Sequence, residues 1–297
     1  GKETLYFQEN GKKYIERTFR WHKKEGNETE YNENGMKVRL TQFKQDFMHG
    51  ENTIWDNEGV KLYTEVMNED DKISKTDFFK DGHIYKYEGF KKGKNHGRSV
   101  VYHDEHINGN HVLSRSVNYI NGELDGPEVN YHNNGKKKEF MTSWVKNQRT
   151  GKHEIFNEEG ILIHSISFIL DLKDGNEIKY NPVNNKEIYL CQYVKGKKQG
   201  VEIFRTELGK LSKRNGYSAD ILTSTTDFHA DLGIISHFIS YDENGKPNGA
   251  EIWYDEQARL TACIVYANGV VRAVWPTNNP NDKPPLDCLI PANIPNN

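Results

Sequence analysis

Residues 26–55, GNETEYNENGMKVRLTQFKQDFMHGENTIW, set the pattern of the whole chain. A glycine is followed five residues later by an aromatic in GNETEY (26–31), and the frame returns 24 residues on as GENTIW (50–55). It recurs as GKETLY (1–6), GRSVVY (97–102), GPEVNY (126–131), GKHEIF (151–156), GNEIKY (175–180) and GAEIWY (249–254). GVEIFR (200–205) keeps the frame with its ring one place early, at Phe204. Most steps between leading glycines are 24 or 25 residues, and two are double. Degenerate units near Ser74 and Ser224, with Phe79 and Phe228 in the ring positions, fill the double steps and bring the count to about eleven repeats.

A second punctuation lies nine or ten residues after the leading glycine, at Asn10-Gly11, Asn34-Gly35, Glu58-Gly59, Asn134-Gly135, Glu159-Gly160 and Leu208-Gly209. Asn-Gly suits a two-residue hairpin turn, whose central residues need positive φ. A third closes several units, as in FKKGKNHG (90–97), YINGELDG (119–126), YVKGKKQG (193–200) and YDENGKPNG (241–249). Each unit therefore reads as strand, tight turn, strand, tight turn. No sustained i, i+3, i+4, i+7 pattern argues for a helix.

The unit G-x-E-x-x-Y-x-x-x-G followed by aromatic-x-x-G-x-x-x-G resembles the MORN repeat, and is most similar to the bacterial YwqK-type antitoxin variant. The resemblance covers residues 1–270. It implies an all-β fold: an elongated, single-layer, antiparallel sheet of about eleven consecutive β-hairpins. The units near 74 and 224, and the lengthened unit at 97, depart from the pattern and predict local irregularity.

Strand alternation puts positions three and five after the glycine on one face, as with Thr53 and Trp55 or Ile178 and Tyr180. This predicts a packed aromatic face. Position two, on the other side, carries Glu3, Glu28, Glu128, Glu177, Glu202 and Glu251, which read as a scaffold row of surface carboxylates. His96, His103, His106 and His111 gather in the long unit, with Asp104 and Glu105 between them. On a strand an H-x-x-H pair faces opposite sides, so a solvated loop and no metal site is expected there.

Formal charge is -3, from 40 Lys plus Arg against 43 Asp plus Glu, so no nucleic-acid partner is expected. Hydrophobic residues make up only 35% and the mean hydropathy is -0.88, which disfavours a deep core. Yet 16 Tyr, 13 Phe and 5 Trp argue against disorder. Cys191, Cys263 and Cys288 are too few and scattered for a disulfide framework. No apolar run approaches membrane-spanning length. No nucleophile elbow, Walker loop or H-E-x-x-H occurs, so no enzyme and no cofactor is expected. The basic clusters Arg17, Arg20, His22, Lys23, Lys24 and Lys136, Lys137, Lys138 are ordinary on a near-neutral protein, and membrane contact is not favoured.

Residues 1–270 thus read as the repeat array and 271–297 as a Pro-rich cap or tail. Six of nine prolines fall there, and proline cannot donate to a ladder. Trp275, Leu286, Leu289 and Ile290 favour a cap. The expected function is a non-catalytic protein-binding scaffold, which the resemblance sharpens to an antitoxin or immunity protein masking a toxin. The alternative is an envelope or secreted surface protein binding an extracellular ligand or membrane. Exposed rings such as Trp21 and Trp253 are the expected anchors, with Glu177 and Glu202 as rim charges. The compartment stays open between the bacterial cytoplasm and, were an export signal to precede Gly1, the envelope.

Overall fold

The computed structural model describes residues 1–107, 109–133, 135–277 and 281–289, without the side chains of 105–107. It divides into two units, Gly1–Gln148 and Arg149–Asn297. The first carries β1 (Lys2–Tyr6), β2 (Lys13–Arg20), β3 (Lys23–Tyr31), β4 (Lys37–Lys44), β5 (Phe47–Trp55), β6 (Lys61–Asn68), β7 (Asp71–Phe78), β8 (Ile84–Lys91), β9 (Lys94–Asn95), β10 (Gly97–Ile107), β11 (Asn110–Ile120), β12 (Glu123–Tyr131) and β13 (Lys138–Val145). The second carries β14 (Gln148–Phe156), β15 (Leu162–Ile169), β16 (Leu172–Tyr180), β17 (Glu187–Val194), β18 (Lys197–Arg205), β19 (Leu211–Ser218), β20 (Ile221–His229), β21 (Ile234–Tyr241), β22 (Pro247–Tyr254), β23 (Leu260–Ala267) and β24 (Val270–Trp275). The fold is all-β. In each unit consecutive strands pair antiparallel into an open sheet.

Because β9 and β10 are one strand interrupted at His96, the described strands form eleven two-strand units followed by β24. At the interruption a Cβ on Gly89 would collide with the His96 carbonyl oxygen, so only glycine admits that backbone. The leading glycines sit where register shifts: Thr41 faces Asn52, but the next pair is Phe43 with Met48. Gly50 takes φ +100° inside that bulge, a conformation that a Cβ penalises. Ser74 and Ser224 stay out of that region, and their hairpins carry a smaller shift, from Val66–Ser74 to Met67–Lys72 in the first. This is the physical content of the degenerate repeats.

The expected two-residue Asn-Gly turn occurs at Asn121-Gly122 and Asn268-Gly269, with positive φ at both residues. The Asn34-Gly35 turn is instead a five-residue loop: Asn32 N–H bonds the Met36 carbonyl, Gly35 N–H bonds the Asn32 carbonyl, and only Gly35 has positive φ, at 86°. Two-residue turns with positive φ at both central residues lie at the opposite end of the hairpins, among them Trp21-His22, Gln45-Asp46, Glu69-Asp70, Lys146-Asn147, Leu170-Asp171 and Ala219-Asp220. An Asp in the second place bonds backwards. Asp46 Oδ1 accepts Lys24 N–H at 2.7 Å while Asp46 N–H donates to the Lys24 carbonyl at 3.1 Å, and Asp70 with Met48, Asp171 with Arg149 and Asp220 with Lys198 repeat the clasp.

The expected packed aromatic face is only half-buried. Tyr31, Trp55, Tyr102, Tyr131 and Tyr180 keep part of their surface in water because no second layer covers them. Buried positions in these repeats are mostly polar, such as Thr41, Asn52, Thr53 and Thr64. They satisfy one another: Thr53 and Thr64 share a 2.9 Å hydroxyl bond, and Asn52 Oδ1 accepts from Thr41 and Arg39.

At the C-terminal end the tail returns over the last repeats. A short 3-10 turn, Leu286–Cys288, places Cys288 in a disulfide with Cys263 of β23, Cα to Cα 6.0 Å. Ile235, Ala250, Ile252, Tyr254, Cys263 and Cys288 make an apolar cluster there. The cysteines thus hold one bridge that spacing did not signal. Leu286 and Leu289, expected to seal the cap, are 86% and 59% exposed, so Cys288 fills that role instead; Ile290 lies outside the described residues.

Candidate binding surface

The glutamate row is a buried ladder and not a solvated rim. Glu177 is 7% exposed and Glu202 is 4%, a correction to the expected display of these two carboxylates. The cause lies two residues before each leading glycine. Lys173 Nζ meets Glu177 Oε2 at 2.6 Å, and Lys198 Nζ meets Glu202 Oε1 at 2.6 Å. The same ammonium groups lie over the next ring, Lys173 over Tyr193 at 4.7 Å and Lys198 over Tyr217 at 4.8 Å. Lys24 repeats the arrangement with Glu28 and Phe43. A buried carboxylate survives only when paired and hydrogen-bonded. Glu202 also accepts from Tyr189 at 2.9 Å, Asn215 at 2.8 Å and Tyr217 at 3.2 Å, and Glu177 is met by His164 Nε2 at 2.9 Å. Burial pushes both carboxyl groups up, but these donors outweigh it and hold them below the ordinary range. Burial likewise raises the Tyr189 and Tyr193 phenols, and the Cys191 thiol that lies between the two glutamates. All this chemistry is spent on holding the sheet. The Lys-x-Gly-x-Glu phase at 24–28, 173–177 and 198–202 was visible in the sequence and would have signalled it.

The surface offers rings and aliphatic groups at the turns. Trp21 is 84% exposed, at the first position of its turn with φ 53°, beside an open depression lined by Arg20, Lys23, Glu25 and Gln45. Of the neighbouring cations, Arg17 is paired with Glu3 and Glu28, and Lys24 with Glu28, so part of this basic cluster is neutralised within the fold. Leu170 occupies the same turn position at φ 49°. Ile169, Leu170 and Leu172 stand about half exposed, with Val194 at the next turn, where Gly196 N–H docks on the Lys173 carbonyl. Trp253 is half-buried, stacked on His237 at 5.0 Å, and His237 Nε2 meets Glu251 Oε1 at 3.0 Å. It is a pinned part of the sheet face and less exposed than Trp21.

The histidine-rich unit is a hairpin of two eleven-residue strands, not a solvated loop. His103 Nε2 lies 3.2 Å from the Tyr131 carbonyl. The His106 side chain falls outside the described residues. His111 is of intermediate exposure with its side chain 3% exposed; its Nε2 meets Asp81 and its ring lies edge-on to His83 at 5.5 Å, both from the loop joining β7 to β8. Burial lowers its pKa, but the Asp81 carboxylate and the His103 carbonyl outweigh this and leave it raised. Of the clustered histidines whose side chains are described, His111 is the one that belongs to this group.

No family model matches the chain, and no curated protein matches it. Among solved structures, TcdB2-TccC3-Cdc42 is similar at 10% identity and TM-score 0.21, over 86% of this chain and 16% of that one. A Photorhabdus luminescens Tc holotoxin pore with a mutated TccC3 matches at 12% identity and TM-score 0.21, over 89% and 15%. This chain therefore spans about a sixth of the length of those proteins. Likeness at this level does not define a common fold.

Proposed function

We propose that this chain is a non-catalytic protein-binding repeat scaffold, and that its partner is a toxin, as the MORN and YwqK-type resemblance implies. One observation supports the reading above others. Trp21 and Leu170 occupy turn positions at φ 53° and 49°, where Asn, Asp or Gly fit best and a large apolar residue is strained. Trp21 is 84% exposed and Leu170 about half exposed, so local folding gains little from the first and only part of a side chain's burial from the second. Strain retained with little packing return supports a surface kept for contact. Contact is accordingly made through such turns within each unit, with Trp21 in the first as an anchor of the kind that dominates interfaces. Glu177 and Glu202 take no part in steering it.

The test is co-expression with a candidate toxin from the same genome, reading growth and co-purification. Trp21→Asn and Leu170→Asn should each leave stability equal or raise it by about 1 kcal/mol, while weakening the complex by about tenfold or more. Unchanged binding by both variants would remove these turns from the reading.

The second reading, an envelope or secreted surface protein, is favoured by the Cys263–Cys288 bridge, since disulfides persist in oxidising compartments. An immunity protein acting outside the cytoplasm satisfies both readings. Fractionation of the native cell, with the thiol state of Cys288 trapped by alkylation, separates them from a cytoplasmic antitoxin.

A further inference from the structure

The corner where β11 passes the β7–β8 loop brings together Asp81, His83 and His111, whose ligand-type atoms all lie within 4.8 Å of one another. We propose that these three side chains form a binding site for a first-row transition-metal ion, with zinc as its simplest occupant. This goes beyond the scaffold reading and does not depend on it.

The donor set is the first argument. Two imidazoles and one carboxylate are the ligands that such ions prefer, and three protein ligands leave a position for water or an outside donor. Geometry is the second. Asp81 Oδ2 lies 2.9 Å from His111 Nε2 and 3.3 Å from His83 Nδ1. Ligands about 2.1 Å from a shared tetrahedral ion stand roughly 3.4 Å apart, so closure around an ion needs only small side-chain shifts.

The supporting contacts are the third. His111 Nδ1 sits 2.8 Å from the His103 carbonyl, the partner that fixes a ligating imidazole with its Nε2 lone pair facing the metal. Phe79 stacks on the His111 ring at 3.8 Å and 11°, which holds the ring plane. His83 N–H bonds Asp81 Oδ1 at 3.0 Å, turning Oδ2 toward both rings. One ligand is thus rigid and buried, while the other two are partly exposed and give an ion its route in. A bound ion would tie the long β10–β11 hairpin to the preceding repeat.

The experiment titrates zinc into the dialysed full chain against a chromophoric chelator, and repeats the measurement with cobalt, whose visible absorption reports nitrogen and oxygen coordination. Saturable binding of one ion is expected, weakened by about tenfold or more in both His83→Ala and Asp81→Asn, and unchanged in His22→Ala. His83 and Asp81 are partly exposed, so both variants should fold, which circular dichroism checks. Absence of saturable binding, or affinity retained in either His83→Ala or Asp81→Asn, would overturn the site and leave an ordinary His111–Asp81 ion pair.

Discussion

Tyr180 and Tyr254 occupy the same repeat position, five residues after Gly175 and Gly249, yet Tyr180 is half-buried and Tyr254 is 8% exposed. Their strands are built alike. The difference is the returning tail, which covers the face of Ala250, Ile252 and Tyr254. Where the sheet is bare, its interior is a polar ladder of Glu177, Cys191, Glu202, Asn215 and Thr225 on the opposite face. A single layer of β-hairpins buries few apolar groups, such as Val117 and Phe168, so it gains much of its stability from satisfied hydrogen bonds, ring edges and lysine stems. A second layer of a few residues is enough to restore a conventional core.

The largest expected effect breaks this contrast directly. Tyr254→Ala should cost about 3 to 5 kcal/mol, as for other buried rings, and Tyr180→Ala clearly less. Chemical denaturation of the two variants checks it, and equal losses would mean that the tail adds no burial. Next comes Cys288→Ser, which releases the tail at about 2 to 4 kcal/mol. Hydrogen exchange should rise in β21 to β23 and stay unchanged in β3 to β6, since repeat arrays transmit damage mainly to neighbours. Glu202→Gln should have the smallest effect, about 1 to 2 kcal/mol at neutral pH, through weaker bonds to Lys198, Tyr189 and Asn215. Because the folded carboxyl sits below its ordinary value of 4.5, its contribution is complete above that pH and is lost as pH falls through the folded value. The acid limb of the wild-type unfolding curve should therefore be steeper than that of Glu202→Gln.

The repeat period, the bulge glycines and the ring positions were legible because each is a local demand of backbone geometry. The burial of Glu177 and Glu202 was not read, since it depends on a lysine two residues before the glycine reaching both a carboxylate and the ring of the next strand. The Cys263–Cys288 bridge joins the tail to β23 across 25 residues without a pairing motif. His111 meets Asp81, 30 residues earlier, through strand pairing that no spacing rule encodes. The Asn34-Gly35 turn misled for a subtler reason: the dipeptide fits both a two-residue turn, as at Asn121-Gly122, and the third and fourth positions of a five-residue loop, and only strand register separates them.

The clasp between successive turns has a direction. Asp46, Asp70, Asp171 and Asp220 each bond to backbone 22 residues earlier. Synthesis proceeds in that same direction, so each hairpin leaving the ribosome meets a finished template on its N-terminal side, with the acceptor and donor of the clasp already in place. Assembly by this route is vectorial: a hairpin with such a clasp closes it onto one already made, and the disulfide-bonded tail locks the hairpins of β22 and β23.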